Sequence, residues 1–158
     1  MNISVRAAVA GDGHILHAMV RELALNHGHA ADFTAVPADY ERFLADPQAI
    51  NGAIIAFWQG EAAGCAIWQR SYFTYRGREP LYLEDLSVLP GFRRRGLGRE
   101  LMRAVARLAL FRDCAAVSWL MMSWNEEARR LYSAAGAEIE EGNCMYRLSG
   151  NALERLGS

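Results

Sequence analysis

Residues 81–99 read Leu-Tyr-Leu-Glu-Asp-Leu-Ser-Val-Leu-Pro-Gly-Phe-Arg-Arg-Arg-Gly-Leu-Gly-Arg, and this stretch decides the fold. Tyr82 to Leu89 predicts a strand. Pro90 to Arg99 is a basic, glycine-rich turn, and Leu97, Leu101, Val105 and Leu108 then fall at helical spacing. A turn of this kind leaves backbone N–H groups unpaired at the positive end of a helix dipole, which makes a seat for a phosphate or pyrophosphate. Gly96 and Gly98 remove Cβ atoms where a ligand must approach the backbone, and glycine can take positive φ. Arg93, Arg94 and Arg95 add charge that can pair with phosphate. Arg-x-x-Gly-x-Gly has the wrong glycine spacing for a dinucleotide fingerprint, and no Gly-Lys-Ser/Thr follows to make a nucleotide P-loop.

The 158 residues suit one domain, expected over 1–150, with a short tail at 151–158. Hydrophobic residues at 52% and charged residues at 22% give the balance of a soluble globular chain. A net charge of −1 gives no bulk attraction to nucleic acid or anionic membrane, and the arginine cluster is local. No apolar run approaches the roughly 20 residues that span a bilayer. The N-terminus lacks a secretion-signal layout, so a cytoplasmic location is expected. Cys65, Cys114 and Cys144 are odd in number and widely spaced, which argues against a disulfide framework and against zinc. His27 and His29 lack enough carboxylate or histidine neighbours for a metal site, and a loop near a substrate mouth fits them better.

Further elements follow in order. Asn2 to Ala10 alternates as a strand, and Asp12 is placed to cap a helix from His14 to Asn26. Pro37 opens a second helix. Ala53 to Trp58 and Ala62 to Tyr75 make a hairpin around Gln59-Gly60-Glu61. Ala115 to Met122 is apolar throughout and predicts a strand buried on both faces. Asn125 caps the next helix, which Gly136 ends. Ala137 to Glu141 and Cys144 to Leu148 predict a last strand pair. The order predicts an α/β fold with a mixed sheet of about seven strands and helices on both faces.

Arg93-x-x-Gly96-x-Gly98, after a strand ending Leu86-Ser87-Val88, resembles the acetyl-CoA signature of the GCN5-related N-acetyltransferase (GNAT) superfamily. Tyr72-Phe73-Thr74-Tyr75, Leu81-Tyr82-Leu83-Glu84-Asp85, Trp124-Asn125-Glu126 and Leu131-Tyr132 with Gly136-Ala137 resemble its diamine (spermidine/spermine) acetyltransferase branch. The resemblance implies the GNAT fold, with the sheet splayed between strands four and five to admit the pantetheine arm. It implies acetyl-CoA as cosubstrate and no metal. Leu86, Ser87, Val88, Arg93, Arg94, Arg95, Gly96, Leu97, Gly98, Arg99 and Asn125 would then bind the coenzyme. A homodimer is implied on the same ground.

Acetyl transfer to an amine needs a neutral nucleophile, and a free alkyl amine has a pKa of about 10, so a base is useful at neutral pH. By resemblance Glu84 is that base, working through water, and Tyr132 is the acid to the coenzyme A thiolate. The Leu86 N–H would polarise the thioester carbonyl. Glu84 and Asp85 are adjacent, so a regular strand sends them to opposite faces, and a bulge would change that. No Cys–His pairing is visible for a covalent acetyl-cysteine route, so direct attack in a ternary complex is expected.

Asp85, His27 and Glu141 are the expected substrate-binding residues. Arg76 and Arg78 would repel a polycation. A small amine that also carries a carboxylate, such as an amino acid or a lysine analogue, therefore fits the charges better than spermidine or spermine. The alternatives are a non-catalytic acetyl-CoA sensor and acetylation of a protein or peptide amine.

Overall fold

The computed structural model describes residues 2–46, 50–72, 74, 77, 80–142 and 148–157. Strand β1 is Ile3–Ala7, and helix α1 (Gly13–Asn26) and helix α2 (Pro37–Ala45) follow. Strands β2 (Asn51–Trp58), β3 (Glu61–Arg70) and β4 (Leu81–Val88) come next, then α3 (Leu97–Phe111), β5 (Val117–Ser118), α4 (Glu126–Ala134) and α5 (Gly150–Gly157). The sheet order is β1-β2-β3-β4-β5, antiparallel up to β4 and parallel between β4 and β5. A parallel pair needs a crossover, and α3 supplies it.

The period-two alternation of the strands sorts the core into two layers. On one face Ile54, Ala56, Ala66, Trp68, Leu81 and Leu83 pack against Leu97, Leu101 and Val105 of α3. On the other, Ala53, Ile55, Cys65 and Ile67 pack against Leu16 and Met19 of α1, with Tyr40 and Phe43 of α2 alongside. The helices therefore lie on both faces of a mixed α/β sheet, as the order of elements implied.

Five strands are present among the described residues, against about seven expected. Ala137 to Glu141 follows α4 without strand pairing, and Cys144 to Arg147, the rest of the expected last pair, lie outside the described residues. The expected strand at Ala115 to Met122 shrinks to Val117–Ser118, and Ala115, Ala116 and Leu120 are exposed rather than buried on both faces. The reason is the splay. β5 meets β4 only at Leu81↔Val117 and Tyr82↔Ser118, after which the two chains separate and the ladder has nothing to join. The hairpin strand, expected to run to Tyr75, stops at Arg70, with Ser71 and Tyr72 outside it; Phe73 and Tyr75 lie outside the described residues.

The start of α1 also departs from expectation. Asp12 sits at the N-cap position but makes no side-chain capping bond to the helix. Its carboxylate instead accepts from the Val9 N–H at 2.8 Å and from the Arg6 guanidinium at 2.6 and 2.9 Å. Glu41 of α2 takes over the free donors, accepting from the Gly11 and Gly13 N–H groups at 2.8 Å each. A carboxylate borrowed from the neighbouring helix thus ties α1 to α2.

Candidate active site

The separation of β4 from β5 opens a cleft of about 910 Å³. Leu83 to Leu86 and Val88 line it from β4 and Trp119 to Met122 from the β5 side; residues of the β4–α3 turn, the end of α1 and α4 complete the lining.

The turn is built from irregular backbone. Arg94 has φ 62° and Gly96 has φ 89°, with Arg93 extended between the short 3-10 turn Pro90–Phe92 and this pair. Gly96 is the N-cap of α3 and offers no side-chain acceptor. From Arg94 to Arg99 no backbone N–H finds a protein acceptor among the described residues; Glu100, the next, donates to the Gly96 carbonyl at 3.1 Å. Successive free N–H groups at a helix start are an anion-binding concavity. A Cβ on Gly98 would stand 3.2 Å from Leu131 Cδ2, so glycine also lets α4 pack closely on α3 here.

The arginine trio divides. Arg93 and Arg94 line the cleft, and Arg93 Nε donates to the Val88 carbonyl at 3.2 Å. Arg95 lies outside it, with its guanidinium 5.1 Å from the Trp58 ring centroid and 5.6 Å from that of Phe92. Leu97, Gly98, Arg99, Leu86 and Val88 line the cleft. The Ser87 side chain is buried toward α1, its hydroxyl donating weakly to the Met19 carbonyl at 3.5 Å.

The carboxylates sit on a bulge. Ile67 pairs with Asp85 and Trp68 with Leu83, which leaves Glu84 as the extra residue. The bulge reverses the face parity of β4. Leu81, Leu83, Leu86 and Val88 pack toward α3, and so Glu84 and Asp85, although adjacent, both turn to the cleft. Glu84 is exposed, and Gln69 of β3 donates to its Oε2 at 3.2 Å. Asp85 is half-buried, and burial, with the neighbouring Glu84 charge, pushes its carboxyl up to about 6.

Tyr132 enters the cleft from α4. Burial raises its phenol above the ordinary tyrosine range, so it holds its proton at neutral pH. Its ring packs on Trp119 with centroids 4.8 Å apart at 56°. Asn125 lines the cleft and also caps α4, its Oδ1 accepting from the Ala128 N–H at 3.0 Å. His27 lines the α1 end and stands against Trp124. Glu141 is exposed on the segment after α4 and does not line the cleft. Arg76, Arg78, Asn143 and Cys144 lie outside the described residues.

Sequence reasoning passed over Gln69, Trp119 and the role of Trp124. Gln69 opens the polar run Gln69-Arg70-Ser71 at the end of an apolar strand, and that break in pattern was the available signal. Among the described residues no cluster of three or more His, Cys, Asp or Glu is placed to hold a metal ion, and no helix is long and apolar enough to cross a membrane.

Comparison with known proteins places this cleft in context. The model of the acetyltransferase (GNAT) family matches residues 16–137. The thialysine N-epsilon-acetyltransferase of Sus scrofa is 32% identical over 170 aligned positions, covering 98% of this chain and 97% of that protein. The L-ornithine N5-acetyltransferase NATA1 of Arabidopsis thaliana is 28% identical over 128 positions, covering 81% of this chain. The chain spans about half the length of that plant protein, 52%. Among solved structures, an aminoglycoside N-acetyltransferase in complex with CoA superposes with a TM-score of 0.74 at 24% identity, covering 92% of this chain and 93% of that one.

Proposed function

This chain belongs to the acetyltransferase (GNAT) family, and we propose on that premise that it moves the acetyl group of acetyl-CoA to a primary amine of a small molecule. The observation that carries the reading is that one cleft is lined by the N–H cradle of the β4–α3 turn, by the bulged carboxylate pair and by Tyr132. The cradle fits a diphosphate in charge and in access. Its donors find no protein acceptor among the described residues, and Arg93, Arg94 and Arg99 line the same cleft.

Coenzyme A supplies an acetyl group activated as a thioester. The residues of this chain do the rest. Glu84 and Asp85 draw the ammonium form of the acceptor into the cleft, and Glu84 takes its proton through water. The Leu86 N–H polarises the carbonyl under attack. As the nitrogen–carbon bond forms and the carbon–sulfur bond breaks, the Tyr132 hydroxyl gives its proton to the leaving sulfur. Gln69 holds the Glu84 carboxylate by the bond at 3.2 Å, and Trp119 holds the Tyr132 ring. Direct transfer in a ternary complex suits the cysteines, because Cys65 is fully buried and burial raises its thiol pKa far above neutrality.

For the acceptor, an amino acid or lysine analogue with a side-chain amine is the preferred class. The relatives named for thialysine and ornithine support that choice. A second copy of the chain is the proposed partner, supported by the outer edge of β5, which pairs with no described strand. The test of function is thiol release from acetyl-CoA across a panel of amines. Turnover with lysine, ornithine or thialysine above spermidine supports the reading. Coenzyme binding without thiol release for any amine contradicts it.

A further inference from the structure

The N–H cradle of the β4–α3 turn has little main-chain bonding of its own to hold its shape. None of the N–H groups from Arg94 to Arg99 finds a protein acceptor among the described residues. Arg94 takes φ 62°, a left-handed conformation uncommon for a residue with a side chain. Backbone in that state persists only where its surroundings over-determine it. Arg95, which does not line the cleft, supplies a tie from the outer side of the turn.

Its guanidinium carbon stands 5.1 Å from the Trp58 ring centroid and 5.6 Å from that of Phe92, both within cation–π reach. Those rings, and no carboxylate of the described residues, are its partners. Phe92 ends the short 3-10 turn at the start of the loop, so Arg95 folds back on its own loop as well as reaching out to the sheet. Trp58 is a fixed platform. It is the last residue of β2, paired with Ile3 of β1 and with Glu61 of β3. The next residue, Gln59, donates its N–H to the Asn2 carbonyl at 2.8 Å. Gly96 rests on the same platform, because a Cβ built there would stand 3.8 Å from Ile3 Cδ1. Ile3, Trp58 and Phe92 all pack on the core layer under α3. Two successive residues of the loop, Arg95 and Gly96, are thus set down on one cross-strand pair, Trp58 and Ile3.

We propose that Arg95 is a positioning residue for the coenzyme: stacked on Trp58 and Phe92, it braces the β4–α3 turn against β1 and β2 and holds the N–H groups from Arg94 to Arg99 in the arrangement that receives a diphosphate. The inference rests on the acetyl-transfer reading and adds to it what preorganises the seat. A loop already held in shape binds its ligand without a further loss of freedom. The arginine trio then divides by role, Arg93 and Arg94 lining the cleft and Arg95 holding the loop that carries them. The two roles make different demands. A direct phosphate contact needs the Arg95 charge and is indifferent to Trp58. A brace needs the ring as much as the guanidinium.

The wild type, Arg95→Gln, Trp58→Leu, their double variant and Arg95→Lys are compared in three measurements. These are calorimetric Kd for coenzyme A, steady-state kinetics with acetyl-CoA and lysine, and ¹⁵N relaxation of the free proteins. The brace predicts that Arg95→Gln and Trp58→Leu each weaken coenzyme A binding by roughly threefold to tenfold, the size of one or two exposed cation–π contacts. The second substitution adds little to the first, because both break the same contact. KM for acetyl-CoA rises by the same factor while kcat at saturation and KM for lysine hold, a split that a general loss of structure does not give. Order parameters at Arg94 to Leu97 fall in both variants before any ligand is added. Unchanged coenzyme affinity in Arg95→Gln overturns the brace. So does a loss in Arg95→Gln that Trp58→Leu does not share, which makes Arg95 a plain charge. Arg95→Lys keeps the charge and gives up planar stacking, and it carries the decision if Trp58→Leu does not fold: weaker binding supports the brace, and wild-type affinity overturns it. A wild type without affinity for coenzyme A refutes the transfer reading. The order parameters then decide the brace alone, a fall in Arg95→Gln keeping it and no change ending it.

Discussion

The two ends of the cleft are made of different materials. The proposed coenzyme seat is main chain: N–H groups from Arg94 to Arg99 without an acceptor among the described residues, a left-handed Gly96 and the start of α3. The proposed acceptor side is side chains from separate stretches of chain: Glu84 and Asp85 on a bulge of β4, Gln69 on β3, and His27 just past the end of α1. Backbone recognises what every acyl-CoA shares, because N–H donors and a helix dipole read charge and little else. Side chains can change one at a time without disturbing that seat. On the proposed reading, the difference teaches that cosubstrate and acceptor are recognised by parts of the fold free to vary independently.

Removing the carboxylates tests the acceptor end most severely. Glu84→Gln with Asp85→Asn should lower kcat by about 10²–10⁴-fold, with the Kd for coenzyme A nearly unchanged. Equal losses in both would mean that the two ends are not separable. Tyr132→Phe comes next: roughly 10²-fold in kcat, at the low end of proton-transfer effects, again with coenzyme binding kept. Steady-state kinetics beside calorimetry checks both.

The pH dependence sharpens the same contrast. With the Asp85 carboxyl at about 6, kcat/KM for an amine should fall as pH drops through about 6, because protonation removes one of the two charges that hold the ammonium. Asp85→Asn should remove that limb of the profile, and a limb that survives the substitution belongs to another group.

Much of the β4–α3 turn was legible in the sequence, because its signals are local. Pro90, three arginines and two glycines between a strand and an amphipathic helix leave few alternatives. The acceptor end was less so. Whether Glu84 and Asp85 share a face depends on a slip in the pairing of β3 with β4, and neither strand encodes that slip alone. His27 meets Trp124 only through the packing of α1 against the sheet. Arg95 shows the converse, since a basic run does not say which arginine faces the ligand and which lies over Trp58. The short β5 was misread for a related reason. Its apolar composition promised burial on both faces, while the splay exposes Leu120.

Smaller effects concern the frame around the cleft. The Arg6 guanidinium and the Val9 N–H hold the Asp12 carboxyl down to about 2, against 3.8 for the free group. Because the folded value is depressed, the stabilisation is present above about pH 4 and is lost as pH falls towards 2. Asp12→Asn should cost about 2 kcal/mol at pH 7 and flatten the acid limb of the stability curve, measured by urea unfolding at several pH values. Asn125→Ala removes the cap of α4 and should cost about 1 kcal/mol.

The central claim is that main-chain N–H groups of the β4–α3 turn seat the coenzyme. It is tested most directly by titrating coenzyme A into ¹⁵N-labelled protein and following each backbone amide. The account predicts one saturable site, with the largest shifts at Arg94 to Arg99. No saturable binding, or shifts that leave this turn untouched, would contradict it.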